Sequence, residues 1–316
     1  MTDFIVLTGF LGSGKTTLLA DFLKLPEAAD TAVIVNEIGE VGLDGAILAE
    51  TSGVPIAMLE NGCICCALTG DLERTVGALV DARSGGPPPA HIVLETSGLS
   101  KPGPILRSLS GLIGLRLRVG VVATVDCRAG SLASDFEEGA AQWAGAQTLV
   151  LTKHDIASPA QRQRARDAST GINPLARLVD TANREAAVHA AFSFDQATVA
   201  APPLWMTTGT RHPRIQVLLA RPDETIRWNE LAEWLDNLAG RLGERLLRLK
   251  GVVRVIDRPH PVLVQSVGTL FELPRPFGPQ WSETPFLVLI LRDSGMAEVS
   301  GITPCLPLNI TQHDPT

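Results

Sequence analysis

Short apolar, β-prone runs recur through the first half of the chain, and each ends at a polar or acidic residue. The runs lie at residues 4–7, 31–35, 54–59, 91–94, 119–125 and 148–151. Directly after the first run, apolar residues recur at helical spacing instead, at Leu18, Leu19, Phe22 and Leu23. Strands that alternate with helices predict an α/β domain whose sheet is mostly parallel.

The second half of the chain has a different pattern. Strand-like runs lie at residues 215–219, 251–256, 262–267 and 286–291. Between the first two runs, one helix face carries Leu231, Trp234, Leu235, Leu238 and Leu242. Glycine and proline interrupt the residues from 293 onward, where no helical period is visible. We therefore predict a first domain at 1–186, a Pro/Ala-rich linker at 187–212, a second domain at 213–302 and a frayed tail at 303–316.

Composition fits two domains and narrows the range of partners. The 316 residues are 45% hydrophobic and 19% charged, which provides enough core for globular domains. The net charge is −7 and no long basic run occurs, so we expect no nucleic-acid partner. No apolar run approaches the roughly 20 residues of a membrane helix, and the first run lacks a basic leader. A cytoplasmic protein without a membrane partner is expected.

The first strand leads into a phosphate loop, residues 9–17, with the pattern G-x-x-x-x-G-K-[ST]. Its glycines let the backbone wrap phosphates, and its amides and the following helix N-terminus favour anions. Lys15 would reach the β- and γ-phosphates, and the Thr16 hydroxyl would take one position on Mg²⁺. The predicted nucleotide-binding residues are Gly9, Gly12, Ser13, Gly14, Lys15, Thr16 and Thr17.

A second motif, Glu95-Thr96-Ser97-Gly98, follows the apolar run at 91–94. In nucleotide-hydrolysing folds, an acid after such a strand holds Mg²⁺, usually through water, and the glycine amide contacts the γ-phosphate. We therefore assign Glu95 to magnesium and catalysis, and Gly98 to the nucleotide.

A third motif, Thr152-Lys153-His154-Asp155, follows the run at 148–151 and is called the guanine motif below. An aspartate can accept from both N1 and N2 of guanine, a donor pair that adenine lacks, while the Lys153 stem packs on the base. Thr152 stands where Asn is more common, and His154 is expected to face solvent. The motif favours guanine over adenine.

The glycine-rich, acidic segment at residues 36–44, here the switch segment, follows the second strand. Ligands of open α/β sheets lie beyond the carboxyl ends of strands, so this segment is expected near the phosphates. It is either a switch that responds to the γ-phosphate or a polar surface loop.

Three of the five cysteines crowd together in the cysteine motif, Gly62-Cys63-Ile64-Cys65-Cys66. Thiolates at this spacing can converge on one soft cation, with zinc the default and copper(I) the competitor. Three sulfurs leave a fourth position to water, a carboxylate or a partner, which suits a site that passes its metal on. A redox pair or buried cysteines are the alternatives. Cys127 is expected to be a small buried residue.

Together these motifs resemble the CobW family of GTPases, which includes zinc metallochaperones and cobalt- or nitrile-hydratase-associated activators. The resemblance implies GTP hydrolysis with Mg²⁺, and zinc or cobalt held by Cys63, Cys65 and Cys66 with Glu37 and Glu40 as additional ligands. Residues 247–251 also match the start of the family's C-terminal domain, a small α+β unit that usually closes with a helix. The histidine-rich stretch of many relatives is missing, since the six histidines are scattered.

The resulting hypothesis is a GTP-dependent metallochaperone that delivers zinc or cobalt to a client metalloprotein. Lys15, the loop amides and Mg²⁺ would stabilise the transition state, and Glu37 is the guess for positioning water. The main alternative is a metal-binding sensor module with vestigial nucleotide turnover. A small-molecule kinase would prefer adenine, against which Asp155 argues. A nucleotide-dependent homodimer would be consistent with the related GTPase class.

Overall fold

The computed structural model describes residues 2–36, 56–58, 68–81, 86–115, 117–193, 212–222, 226–278, 284–302 and 306–312. The chain divides into two compact units, Met1–Ser169 with Ala176–Ala197, and Thr170–Leu175 with Thr198–Thr316. In these described ranges, no helix has both the length and the apolar character that crossing a bilayer requires.

The first unit is built on a sheet whose seven described strands are all parallel, in the order β3-β2-β4-β1-β5-β6-β7. The strands are β1 Asp3–Gly9, β2 Thr31–Asn36, β3 Ile56–Met58, β4 His91–Thr96, β5 Arg118–Asp126, β6 Thr148–Thr152 and β7 Arg177–Val179. Each of the six predicted runs overlaps one of these strands, and of the described strands only β7 was missed. The predicted α/β class is confirmed.

Helices of this unit connect the strands, as a parallel sheet requires. Those described are α1 Lys15–Phe22, α2 Leu68–Asp81, α3 Pro102–Ser108, α4 Glu137–Gly145, α5 Pro159–Ile172 and α6 Arg184–Phe192. Helix α6 packs on α1, where Phe192 stacks on Phe22 with ring centroids 4.0 Å apart. The predicted linker begins at 187, within this buried helix, so the first folded unit extends at least to Phe192.

The register aligns the carboxyl ends of the strands that carry the motifs. Leu7 of β1 and Val35 of β2 both pair with Glu95 of β4, and Val35 also pairs with Met58 of β3. These four residues form one row across the sheet. Everything that follows these strands therefore leaves the sheet at the same edge, where open α/β sheets bind ligands.

The second unit is an antiparallel sheet covered by a helix, which confirms the predicted α+β domain. Its strands are β8 Ile215–Pro222, β9 Leu246–Val253, β10 Val262–Val267, β11 Leu270–Phe271, β12 Arg275–Pro276, β13 Phe286–Arg292 and β14 Leu308–Gln312, with helices α7 Trp228–Leu242 and α8 Met296–Ser300. The main path is β11-β10-β9-β13-β8-β14, and β12 pairs with β10. Helix α7 buries the five apolar residues predicted for one face.

Two expectations for this unit need correction. The strand predicted at 251–256 is β9, which begins five residues earlier. The prediction excluded Arg248 because a charged residue usually marks the end of a buried strand, but Arg248 is buried within the sheet. The tail predicted to fray contains β14, which pairs with β8 from Leu308 to Gln312. This strand was not predicted because proline and glycine are frequent around it, although Ile310 packs against the core.

Lys250 of β9 should make the stability of this unit depend on pH. It pairs with Gln265 and Val288, and burial, followed by repulsion from Arg248, lowers its pKa to about 8. The pKa of a lysine in an unfolded chain is about 10.4. Between the folded and the unfolded pKa of Lys250, the unfolded state binds more protons, so the free energy of unfolding rises with pH. We expect Lys250→Met to be more stable than the parent at pH 7 by about 2 kcal/mol, after a discount for partial solvent screening.

Urea unfolding at pH 7, 8.5 and 10 measures this difference, which should shrink as the pH rises. Lys24→Met, at a position 70% exposed, is the control and should change stability by less than about 0.5 kcal/mol. A Lys250→Met protein that is less stable than the parent at pH 7 contradicts the expectation.

Candidate nucleotide-binding site

The phosphate loop leaves β1 through glycine positions that other residues cannot occupy. Gly12 and Gly14 have φ of 67° and 91°, in the left-handed region. At Gly9, with φ of 144°, an added Cβ would lie 2.1 Å from Thr124 Oγ1 and 3.0 Å from the Thr124 carbonyl oxygen. The loop therefore lies directly against the end of β5 and keeps its backbone amides clear of side chains.

Hydroxyl groups from two neighbouring strands hold this loop in place. Ser13 Oγ lies 2.6 Å from Thr124 Oγ1 of β5, and Thr152 Oγ1 of β6 donates to the Ser13 carbonyl oxygen at 2.8 Å. Lys15 Nζ donates to the carbonyl oxygens of Gly9 and Phe10 at 2.9 and 3.3 Å. The ammonium group is thus already folded over the loop that would surround the phosphates.

The residues predicted for magnesium meet at the first turn of α1. Thr16 Oγ1 donates to Glu95 Oε1 at 2.6 Å, and Glu95 is buried at the end of β4. A hydroxyl and a carboxylate oxygen beside a phosphate loop are the donors that Mg²⁺ prefers, so the residues present fit this ion. In the part of the chain that the structure describes, no group of three or more His, Cys, Asp or Glu side chains could hold a metal.

Gly98 joins the segment after β4 to the phosphate loop. A Cβ added at Gly98 would lie 2.7 Å from the backbone nitrogen of Leu11 and 2.8 Å from its Cα, so only glycine allows this approach. The buried side chain of Gln142 on α4 fixes the same segment, because its Nε2 donates to the carbonyl oxygens of Gly98 and Ser100 at 3.0 and 2.9 Å. Gln142 could not be predicted from the sequence, where its only signal is an amide in an alanine-rich helix.

A cavity of about 420 Å³ adjoins the phosphate loop on the side of β6 and brings the guanine motif to it. Its lining residues include Gly14 and Thr17 of the loop and the whole guanine motif. The remaining wall was not predicted from the sequence and includes residues of α1, of the turn after β7 and of α6, among them Leu18, Asp21, Thr181, Ala182 and Arg184. The volume is that of a typical small-molecule pocket.

Neighbouring side chains position the guanine motif. Lys153 has a φ of 58°, which is unusual for a residue with a side chain, and its Nζ forms an ion pair with Asp126 Oδ2 at 2.6 Å. Asp126, the last residue of β5, was not recognised from sequence, although an acid after a strand is a signal. Asp155 is exposed toward the cavity mouth.

His154 does not face solvent as expected. Its side chain is only 9% exposed, and its Nε2 lies 3.5 Å from Asp180 Oδ1. Burial, with a smaller effect of Arg162, lowers the pKa of the imidazole below its usual value. The histidine is therefore a mostly buried residue in the wall of this cavity.

The structure thus gathers the predicted nucleotide residues and the predicted magnesium residues at one edge of the first sheet. They are Gly9, Gly12, Ser13, Gly14, Lys15, Thr16, Thr17, Glu95, Gly98, Thr152, Lys153 and Asp155. Glu37, Glu40, Cys63, Cys65 and Cys66 lie outside the described residues. Cys127 is fully buried, and burial raises its pKa to about 11, which is consistent with a structural thiol.

A parallel sheet with a phosphate loop at its central strand and a guanine motif beside it defines the class of phosphate-loop GTPases. The family model "CobW/HypB/UreG, nucleotide-binding domain" matches residues 3–180, and "Cobalamin synthesis protein cobW C-terminal domain" matches residues 215–301. The chain belongs to the CobW family.

Relatives and solved structures agree with this membership. The chain is 30% identical over 285 residues to the zinc chaperone YjiA of Escherichia coli (strain K12), covering 86% of this chain and 89% of that protein. It is 27% identical over 306 residues to the zinc chaperone CobW of a Sinorhizobium species, covering 83% and 84%. The crystal structure of Zn(II)-bound YjiA GTPase from E. coli has the same fold, with a TM-score of 0.68, 23% identity and coverage of 96% and 98%.

Proposed function

We propose that this protein is a GTP-dependent metallochaperone. It hydrolyses GTP to GDP and phosphate with Mg²⁺, carries zinc, or alternatively cobalt, on the cysteine motif and delivers it to a client metalloprotein. The observation that carries the proposal is the hydrogen bond from Thr16 to Glu95 beside the phosphate loop. Met58, five residues before Cys63, lies in the same strand row as Glu95. The names of the relatives as zinc chaperones support the choice of cargo.

The register provides a route for coupling between the two sites. Met58 is two strands away from Glu95 in the same row, a separation of about 10 Å at the usual strand spacing. Cys63 follows Met58 by five positions. The strand between them, β2, leads into the switch segment with Glu37 and Glu40. The strands that precede both proposed sources of metal ligands thus end in the same row as the proposed magnesium glutamate.

Hydrolysis at this site would rest on electrostatic stabilisation rather than on a covalent intermediate. A water would attack the γ-phosphorus, the bond from that phosphorus to the bridging oxygen would break, and negative charge would grow on the leaving GDP. One proton of the water would stay on the released phosphate and the other would pass to solvent. The Lys15 ammonium and the loop amides stabilise that charge. Thr16 and Glu95 would hold Mg²⁺, which would neutralise further phosphate charge. Glu37 is the residue we propose for orienting the water.

Loss of the γ-phosphate would be sensed through Gly98. The segment from Gly98 to Ser100 lies between the phosphate loop and Gln142, so its position depends on what the loop holds. Together with the switch segment, it would change the ligand set offered to zinc, and the cargo would pass to the client after hydrolysis. A sensor module with vestigial turnover would lack this dependence.

The test is a zinc titration of the reduced protein against a competing chelator, once with GDP and once with a non-hydrolysable GTP analogue. We expect at least about a tenfold difference in zinc affinity between nucleotide states, which corresponds to a typical coupling free energy. Cys65→Ser with Cys66→Ser should abolish tight binding, whereas the control Cys127→Ser should not. Equal affinity in both states would favour the sensor module.

We further infer that a second copy of the chain covers the phosphate loop when GTP is bound. Apolar side chains stand exposed around the loop, with Leu11 59%, Leu99 47% and Phe136 47% exposed. Phe136 also stacks on Phe10 of the loop, with centroids 4.9 Å apart. Light scattering should report a dimer with the GTP analogue and a monomer with GDP, and Leu99→Glu should abolish the dimer.

Replacement of Asp155 by Asn tests the choice of base. The carboxylate can accept from N1 and N2 of guanine, whereas the Asn amide has one acceptor and would donate to a carbonyl at C2. We expect Asp155→Asn to weaken GTP binding by about 100-fold, as for a charged hydrogen-bond pair, and to improve binding of xanthosine triphosphate. Competition with a fluorescent nucleotide measures both.

The matched control for this change is Asp236→Asn on the exposed face of α7. It makes the same charge change outside the site and should leave both affinities unaltered. If Asp155→Asn binds GTP as tightly as this control, Asp155 does not read the base.

A further inference from the structure

The second unit contains a cavity of about 330 Å³ for which the proposed GTPase and metal sites have no use. Four segments of this unit line it: the first residue of α7, the turn after β9, the first residue of β10, and strand β12 with the proline before it. Its floor is the ring of Trp228, which also packs against the core of the unit. The cavity has the size of a few side chains and could not admit a folded domain.

Two arginines give the cavity a positive rim, and a histidine lies beside them. Arg258, His260 and Arg275 are all exposed, and within the described part of the chain neither arginine has an acidic partner. The Arg258 guanidinium lies 5.8 Å from the centroid of the Trp228 ring. The neighbouring Asp257 carboxylate is engaged, because it accepts from the Trp228 backbone nitrogen at 3.0 Å. In a chain of net charge −7, this concentration of unpaired cations indicates an anionic ligand.

The remaining surface is apolar and rigid. Pro259, Pro274 and Pro276 line the cavity, and exposed apolar residues adjoin it in sequence, with Ile256 61% and Leu273 91% exposed. Proline has no backbone N–H to offer, so a partner strand could not extend the sheet along β12. A ligand must instead insert side chains.

We propose that this cavity binds an acidic peptide segment of a partner protein, in which carboxylate residues flank an apolar or aromatic residue. The apolar side chain would stack on Trp228 between the prolines, and the carboxylates would pair with Arg258 and Arg275. Bidentate pairing with carboxylates is the geometry that the arginine guanidinium favours, and aromatic anchors are typical of protein interfaces. The surface would recruit a partner independently of the nucleotide.

The experiment uses the full chain labelled with 5-fluorotryptophan. The five tryptophans of the chain give five fluorine resonances, and the one missing from Trp228→Phe is that of Trp228. The probe is the capped peptide Asp-Phe-Glu-Phe-Asp, compared with its analogue in which lysine replaces each acid and with citrate. We expect the acidic peptide to shift the Trp228 resonance alone. Arg258→Glu with Arg275→Glu should weaken this binding by at least about tenfold.

The charge-matched control is Arg164→Glu with Arg241→Glu, two exposed arginines outside the cavity, which should bind the peptide as the parent does. The proposal is overturned if Trp228 does not shift, if the lysine peptide or citrate shifts it equally, or if the cavity variant binds like the control. Because GTP hydrolysis and zinc affinity are measured separately on the same variants, any of these outcomes leaves the proposed function standing.

Discussion

Replacement of Gly98 by alanine should reduce GTP hydrolysis by about 100-fold while the chain remains folded. The new Cβ would lie less than 3 Å from two backbone atoms of Leu11, so either the phosphate loop or the segment after β4 must move. Displacements of about 1 Å in a site that works by positioning cost about this factor in rate. Phosphate release under saturating GTP measures the loss.

Gly77→Ala is the matched control for this substitution. Gly77 lies within α2, and a Cβ added there meets nothing within 4 Å. Alanine should stabilise the helix by up to about 1 kcal/mol without changing turnover. If Gly98→Ala hydrolyses GTP at the rate of Gly77→Ala, the close contact between Gly98 and Leu11 has no part in catalysis.

The larger loss is expected for Lys15→Ala, which should lower kcat/KM for GTP by about 1,000-fold. The buried ammonium group is held over the loop by the carbonyl oxygens of Gly9 and Phe10, in position to meet the phosphates. Its removal deletes a positive charge at the place where negative charge grows in the transition state. Since the same charge also attracts the ground-state phosphates, both kcat and KM should change.

Lys24→Ala makes the same chemical change at an exposed position, where the side chain only pairs with Asp21. Its turnover should match that of the parent. Circular dichroism of both variants shows whether the fold is kept. Retention of more than about a tenth of the parental kcat/KM in Lys15→Ala would mean that the loop amides carry the reaction without the lysine.

Most of the first sheet could be predicted because its strands are buried on both sides and therefore read as continuous apolar runs. Strand β7 was missed because it has three residues and starts with Arg177, which gives almost no pattern. Helix α6 was missed because its alanines resemble a linker, although Asn183 before it provides an N-cap and accepts from the Ala186 backbone nitrogen at 3.0 Å. The start of α6 could therefore have been predicted from its N-cap residue, Asn183, but not from its alanine-rich composition.

The phosphate loop, Glu95 and the guanine motif could be recognised because their chemistry depends on residue types at fixed spacing. The residues that hold these motifs in position could not be recognised in this way. Thr124, Asp126 and Gln142 contact the site through tertiary contacts that span dozens of residues, and only Asp126, an acid at the end of a strand, carries a local signal. His154 illustrates the converse error, since its polar character suggested solvent while the turn beside Asp180 buries it.

The Thr152 hydroxyl connects the two halves of the nucleotide pocket through a single proton. It donates to the Ser13 carbonyl oxygen at 2.8 Å and shares the same proton with the Val125 carbonyl oxygen at 3.2 Å. A base that fits poorly against Lys153 and Asp155 would shift the end of β6 and weaken the hydrogen bond from Thr152 to the phosphate loop. Fidelity for guanine would then be enforced twice, at binding and again in the turnover rate, so that ATP would be a slow substrate even at saturation.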